Sequence, residues 1–392
     1  MKYTEYELGQ INIEVIDGDR GKNYPHQDEL LREGSCVFLS ANNVTSSGFK
    51  FDSVVFITEE KDKILRNGKL VRNDIVITTR GTVGNVGLFD SSVPFTDMRI
   101  NSGMLIVRCG EGVDCRYLYH VLRGSSFQQQ ILQVRSGTAQ PQLPKSHFLR
   151  MKVELPPIDI QQKIAKILGT VDKKIKNNEE INENLSDQIQ AIYSNEFDPI
   201  THTPSGILAD ICSYSSDRIP VSELSLSTYY STENMQPNKM GSVDATSLPS
   251  ITQTTGCHKG DVLISNIRPY FKKIVYVTDN SCGCSTDVLC FVPMEDQYSA
   301  FLFGTLYMDR FFDYMVTGSK GTKMPRGDKQ QIMNYPIVLP NKESLDLFNG
   351  LVVPMLDQIA SNRIENSRLA ALRDALLPKL MSGELDVSDI DL

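Results

Sequence analysis

Residues 155–188 and 339–372 are two versions of one segment, displaced by about 184 positions. Self-similarity on that scale limits the fold more than any local pattern does. Leu155-Pro156 opens LPPIDIQQKIAKILGTVDKKIKNNEEINENLSDQ, and Leu339-Pro340 opens LPNKESLDLFNGLVVPMLDQIASNRIENSRLAAL. Ile175, Asn178, Asn182 and Leu185 recur as Ile359, Asn362, Asn366 and Leu369. The likeness extends upstream. DIVITTRGTVGNVGLF from Asp74 is echoed by DVLISNIRPYFKKIVY from Asp261, FLSANNV from Phe38 by YYSTENM from Tyr229, and YLYHVL from Tyr117 by FLFGTL from Phe301. SGTAQPQLP and TGSKGTKMP stand just before the two helical segments. The order is module, helix, module, helix, and the spacing predicts two halves related by a pseudo-twofold axis.

In the first helical segment Ile164, Leu168, Val171, Ile175, Asn178, Asn182, Leu185, Ile189 and Ile192 alternate in steps of four and three, the seam of a coiled coil. The second seam runs Phe348, Val352, Met355, Ile359, Asn362, Asn366, Leu369, Arg373 and Leu376, with Arg373 departing from the apolar pattern. Gly169, and Pro354 where Thr170 stands in the first copy, predict a short helix, a break, and a long helix beginning near 170 and near 354. Each long helix of about 25 residues would span roughly 37 Å. The two seams are expected to pack antiparallel, with Asn178, Asn182, Asn362 and Asn366 meeting near the middle and fixing register. The alternative is two surface helices whose asparagines are solvated.

Between the helices, short β-rich runs begin at Val54, Asp74, Met104, Val262, Lys273 and Val288, while 117–134 and 301–314 read as helical. The expected class is α+β, with mixed α/β modules at 1–154 and 198–338 and helical regions at 155–197 and 339–392.

Net charge is −8, which is unusual for a chain that neutralises phosphates unaided. Residues 1–154, however, carry 19 Lys and Arg against 18 Asp and Glu, and part of the acid excess is in the tail at Glu384, Asp386, Asp389 and Asp391. A basic partner is implied. No run of about 18 apolar residues predicts a membrane span. The start MKYTEYELGQ has no apolar signal core, so a cytoplasmic location is the default expectation.

Catalytic patterns are lacking. An adenine methyltransferase needs a Gly-rich cofactor loop and an Asn/Asp-Pro-Pro-aromatic motif, and SNIRPYF has Arg268 where the first proline would stand. Gly81, Gly84 and Gly87 recur every third residue and lead into β-type residues rather than a helix, which fits neither a dinucleotide fingerprint nor a phosphate loop. His26, His120, His147, His202 and His258 form no metal or triad pattern. Cys257-His258 with Cys282, Cys284 and Cys290 lacks the paired spacing of a zinc site, so packed, reduced thiols are expected. Neither an enzyme nor a cofactor is expected.

The layout, together with GDVLISNI at Gly260, YYSTENM at Tyr229, LPPIDIQQKIAKIL at Leu155 and LLPKLMSGELDVSDIDL from Leu376, resembles the specificity subunit of type I restriction–modification systems. The resemblance covers essentially the whole chain. It implies two target-recognition domains separated by an antiparallel pair of long helices. It also implies a non-catalytic subunit that reads a bipartite double-stranded DNA site for two methyltransferase subunits, to which a motor–nuclease (restriction) subunit can join. The helix pair then acts as a ruler between half-sites. Self-association of the isolated chain is left open.

Base reading and phosphate contact need Arg, Lys, Asn, Gln, Ser or Thr on loops. Arg80 and Thr82 lie on a Gly-rich loop after a strand, and Asn266, Arg268, Lys272 and Lys273 occupy the repeat counterpart. The pre-helix loops offer Arg135, Thr138, Gln140 and Gln142 in one copy and Lys320, Thr322, Lys323 and Arg326 in the other. Arg99 and Asn101 complete the candidates.

Two rival hypotheses make different predictions. A stand-alone nuclease or methyltransferase would show catalysis by the purified chain. A coiled-coil scaffold bearing two protein-binding modules would show no salt-dependent DNA binding even with partners present.

Overall fold

A computed structural model describes residues 4–134, 142–388 and 390. The chain divides into two compact units, one of residues Met1–Ile175 with Asn366–Leu392 and the other of Lys176–Glu365.

In the first unit the central sheet is antiparallel, in the order Ile13–Asp17, Met104–Cys109, Ile75–Thr78, Val86–Leu88. Its middle strands open as unbroken apolar runs, IVI from Ile75 and MLIV from Met104, because both faces are covered there. Alternation sends Ile75, Ile77, Leu105 and Val107 to one face and Val76, Met104 and Ile106 to the other. The second face packs on a three-stranded sheet in which Cys36–Leu39 lies parallel to Met98–Ile100 and antiparallel to Phe56–Ile57. The first face takes helices α2 (Cys115–Arg123) and α3 (Ser125–Val134), which follow α1 (Glu59–Ile64) in the chain; α4 (Lys145–Phe148) adds Phe148.

The second unit repeats this plan. Its antiparallel sheet runs Cys212–Tyr214, Val288–Pro293, Val262–Ser265, Ile274–Tyr276. Val262, Ile264, Leu289 and Phe291 share one core, and Leu263, Val275, Val288 and Cys290 share the other. The covering sheet again holds one parallel pair, Tyr229–Tyr230 with Cys282–Cys284. Cys257, Cys282, Cys284 and Cys290 fill the layer between these sheets, where burial pushes the Cys282 thiol up to about 12. Among the described residues no group of three or more His, Cys, Asp or Glu is arranged to hold a metal, and no helix is long and apolar enough to cross a membrane.

The run at 301–314, expected as one helix, is two: α6 (Ser299–Tyr307) and α7 (Asp309–Thr317), followed by α8 (Lys329–Met333). Met308 is extended at ψ 140°, as is Gly124 between α2 and α3 at ψ 146°, and 308 − 124 gives the repeat offset of 184. At Gly124 a Cβ would stand 2.8 Å from Leu377, so a side chain there would collide with the packed helix end.

The expected break near 170 and 354 is absent. Helices α5 (Ile158–Phe197) and α9 (Lys342–Met381) each run unbroken for 40 residues, about 60 Å at 1.5 Å per residue. Gly169 costs about 1 kcal/mol relative to alanine and interrupts nothing. Pro354 costs about 3 kcal/mol, but it faces outward between buried Val352 and Leu356. Leu345, Phe348, Val352, Leu356 and Ile359 are all buried, each contributing about 1.5–3 kcal/mol. Five such burials outweigh one proline.

Within each unit the two helices pack antiparallel. In the second, Asn362 Nδ2 donates to Asn182 Oδ1 at 2.8 Å and Asn178 Nδ2 to Glu365 Oε2 at 2.7 Å. In the first, Asn366 Nδ2 donates to the Ile175 carbonyl at 3.2 Å. Arg373, the departure from the apolar seam, donates to Asp172 Oδ1 at 2.8 Å. Arg123 reaches the same carboxylate at 2.9 Å, and His120 Nδ1 stands 3.7 Å from it. Burial works to raise the Asp172 carboxyl, but Arg123, Arg373 and His120 together hold it below the ordinary range.

His120 carries a pH signature. Burial first, with the two arginines adding and Asp172 opposing, lowers its pKa from 6.5 to about 4. Between those values the unfolded chain binds a proton that the folded chain does not, so stability falls as pH falls. The loss is about 3 kcal/mol across the window. Calorimetry from pH 7 to 4 should show this slope, and His120→Gln should flatten it; an equal slope in the variant would assign the acid sensitivity elsewhere.

Candidate nucleic-acid interface

The loop after each central strand is built by the hairpin that the strand begins. In the first unit Ile75–Thr78 pairs with Val86–Leu88, leaving 79–85 as the tip. The Thr79 and Arg80 amides both donate to the Gly103 carbonyl, at 2.7 and 3.2 Å, and Leu143 N donates to Thr79 O at 3.0 Å. Gln128 Nε2 of α3 donates to Gly84 O at 2.9 Å, and Gly84 stands at φ 99°, a left-handed backbone that favours glycine where α3 crosses the loop. These contacts fix the base of the tip. They leave the Arg80 and Thr82 side chains exposed, and Arg80 has no side-chain partner among the described residues.

The structure brings the two predicted loops of each module together. Arg80 pairs with Gln142 as an isolated antiparallel bridge, and Ile267 pairs with Arg326 in the same way. The correspondence is close: 326 − 142 is 184, the helical offset, and the DIVITTRG and DVLISNIR segments align Arg80 with Ile267. The Arg268 amide donates to Pro325 O at 2.8 Å, and Lys320 and Arg326 exchange backbone hydrogen bonds at 2.9 and 3.0 Å, closing a small hairpin. Arg268 is thus joined to exposed Lys320, Thr322, Lys323 and Arg326. Arg135, Thr138 and Gln140 lie outside the described residues.

Neighbouring acids tune this surface. Arg326 meets Asp287 at 2.9 Å, Lys320 meets Asp328 at 2.6 Å, and Lys272 meets Asp309 at 3.0 Å. Lys320 and the amides of Gln331 and Gln330 hold the Asp328 carboxyl below its usual range. These pairs are exposed and exchange readily with other anions. Asn266 is buried, with Oδ1 lacking a partner among the described residues, as does the buried Nε of Arg268.

Three candidates are corrected. Arg99 is only 5% exposed: it donates to the Asp62 carboxylate and to the carbonyls of Asn67, Asp62 and Leu65 at 2.7–3.0 Å, clamping α1 and the turn after it. Burial acts to raise the Asp62 carboxyl, yet Lys69 and Arg99 together depress it. Lys273 is half-buried, donates to the Thr232 carbonyl, and has its pKa lowered by burial. Asn101 Oδ1 accepts from Gly103 N at 2.8 Å, so its side chain shapes a turn.

One basic residue escaped the sequence reading. Arg20 is exposed, near Asp17 at 3.1 Å and the Ser102 carbonyl at 3.4 Å, beside the turn that also supports Arg80. Its signal was the turn-rich DGDRGK run at 17–22. Gly18 in that run is obligatory, because a Cβ there would lie 2.1 Å from the Asn101 carbonyl oxygen.

Against known proteins, residues 2–187 match the type I restriction modification DNA specificity domain family. A type I restriction enzyme MjaIX specificity subunit of Methanocaldococcus jannaschii is 22% identical over 382 residues, covering 85% of this chain and 82% of its own. A HindI specificity subunit of Haemophilus influenzae is 29% identical over 113 residues, 29% of this chain and 25% of that protein. The fold resembles the crystal structure of a type I restriction-modification S subunit from M. genitalium, with TM-score 0.59, 17% identity, and coverage of 97% and 96% of the two chains.

The geometry separates two arginines that look alike in sequence. Arg99→Ala leaves Asp62 without its guanidinium partner and should cost about 3 kcal/mol. Arg80→Ala should stay within about 0.5 kcal/mol of the parent. Chemical denaturation of both variants checks this; equal losses would refute the division into clamp and surface residue.

Proposed function

This chain belongs to the specificity subunits of type I restriction–modification enzymes, and from that premise we propose that it reads a bipartite double-stranded DNA target with one module per half-site. It is the non-catalytic subunit, acting with other subunits and DNA. The reading assigns residues 1–154 and 198–338 to target recognition, and 155–197 and 339–392 to the spacer. It adds two methyltransferase subunits as partners, a restriction subunit that can join them, and a cytoplasmic setting.

The observation that carries this reading is the bridge made twice, Arg80 to Gln142 and Ile267 to Arg326. Two loops distant in sequence are joined at the same place in both modules, and each junction presents basic and neutral polar side chains. Arg80, Thr82, Gln142 and Arg20 form one set; Arg268, Lys272, Lys320, Thr322, Lys323 and Arg326 form the other. Arg135, Thr138 and Gln140 extend the first set from sequence alone. Such residues suit phosphates and base edges. The loops differ, RGTVG against NIRPYF, so the two half-sites should differ as well.

Net charge decides how the grip is shared. A contact that neutralises several phosphates needs a comparable number of free cations, and this chain carries −8 overall with several loop cations already paired. Most of the non-specific electrostatic affinity therefore falls to the methyltransferase partners, and this chain supplies discrimination. The asparagines 178, 182, 362 and 366 hold the helix register, and with it the number of base pairs between half-sites at about 3.4 Å each.

Adenine-methylation mapping of host DNA, with and without this gene and with the methyltransferase gene intact, tests the function. Loss of methylation at one bipartite motif is expected; an unchanged methylome with both proteins expressed would favour the protein-scaffold reading. In the reconstituted complex, Arg80→Ala and Arg268→Ala should each lower affinity about tenfold and relax discrimination at opposite half-sites. Unchanged binding of the cognate duplex at fixed salt by both variants would remove these loops from the interface.

A further inference from the structure

The hairpin loop of the second unit carries a feature that its counterpart lacks. Pro269–Phe271 is a single turn of 3-10 helix set between Arg268 at φ 51°, ψ 62° and Lys272 at φ 51°, ψ 49°. Both flanking residues adopt the left-handed conformation without being glycine, which costs free energy and persists only where surrounding contacts impose it. Those contacts are present. Arg268 N donates to Pro325 O at 2.8 Å, Asn238 N to Phe271 O at 2.8 Å, and Lys239 N to Lys272 O at 2.8 Å, while Pro269 is buried.

The rigid turn displays two aromatic rings. Tyr270 is 49% exposed and Phe271 is 39% exposed, with ring centroids 4.8 Å apart. The neighbouring hairpin adds Met324, 48% exposed. The first unit has Thr82, Val83 and Gly84 at this place. An apolar pair amid Arg268, Lys272, Lys323 and Arg326 suits a ligand that is anionic outside and locally apolar inside. On the major-groove edge of DNA the one apolar group is the thymine 5-methyl.

We propose that Tyr270 and Phe271 recognise the 5-methyl group of a thymine in the half-site read by the second module; this rests on the DNA-recognition reading above. The two half-sites then differ in kind, the second containing a T·A pair selected by apolar contact.

The test uses the full chain assembled with its methyltransferase subunit and a duplex bearing the mapped target. Each thymine of the second half-site is replaced singly by deoxyuridine, which removes only the methyl. At one position wild-type affinity should fall about fourfold, the worth of one buried methyl. The variant Tyr270→Ala/Phe271→Ala, with unchanged thermal stability, should be indifferent to that replacement and should keep its discrimination at the first half-site. A half-site without T·A, a wild type indifferent to every replacement, or a variant that responds as the wild type does overturns the proposal. So does a variant with an unchanged DNA profile that no longer retains the methyltransferase subunit, which would make the rings a protein contact. Absence of any sequence-specific binding by the wild-type complex would instead remove the recognition reading itself.

Discussion

A largely apolar helix seam interrupted by amides and two carboxylates, Asp172 and Glu365, is the constraint on which the rest of this molecule depends. In the first unit Ile160, Ile164 and Leu168 of α5 share a core with Leu377 and Leu380 of α9. In the second, Ile189, Tyr193 and Phe197 share one with Phe348, Val352 and Ile359. Apolar contacts of this sort tolerate sliding; the hydrogen bonds of Asn182 with Asn362 and Asn178 with Glu365 do not. A shift by one helical step would leave buried amides unpartnered at about 1–3 kcal/mol each. Both helices contribute to the core of each unit, so register in the seam is also register in the modules.

The sequence showed most where periodicity and duplication speak together. The two long helices and the central strands beginning near Asp74, Met104, Val262 and Val288 were readable from spacing; of the four seam asparagines, Asn182 and Asn362 bond each other, while Asn178 bonds Glu365 and Asn366 the Ile175 carbonyl. The continuity of the helices was not. Proline and glycine predict breaks because local cost is visible in sequence, whereas the burial of Leu345, Phe348 and Val352 that offsets it depends on a sheet distant along the chain. The division of 301–314 into two helices was hidden for the opposite reason. Nothing in the residues around Met308 signals a bend, and only its alignment with Gly124 would have done so.

The candidate interface was legible by location more than by residue. Hairpin tips and pre-helix loops were named from turn chemistry, and their joining needed only the repeat to be followed through to Gln142 and Arg326. Which cations remain free was not legible. Asp62 lies 37 residues from Arg99, and Asp287 lies 39 residues from Arg326. An arginine that clamps a helix and an arginine that faces solvent have the same letter and similar neighbours in the chain. Their difference is made by a carboxylate that folding delivers.

Each module also closes on itself. Thr4–Glu7 pairs with Lys152–Leu155, and Gly206–Ile207 pairs with Pro336–Ile337, so the chain enters and leaves either module through adjacent strands. A domain whose two ends meet in one short ladder behaves as a cassette: its interior can be exchanged for another of different length without moving the points of attachment. The ladders use backbone groups, which any sequence supplies. Such an architecture leaves the interior of either module free to vary while the helices that carry it keep their points of attachment.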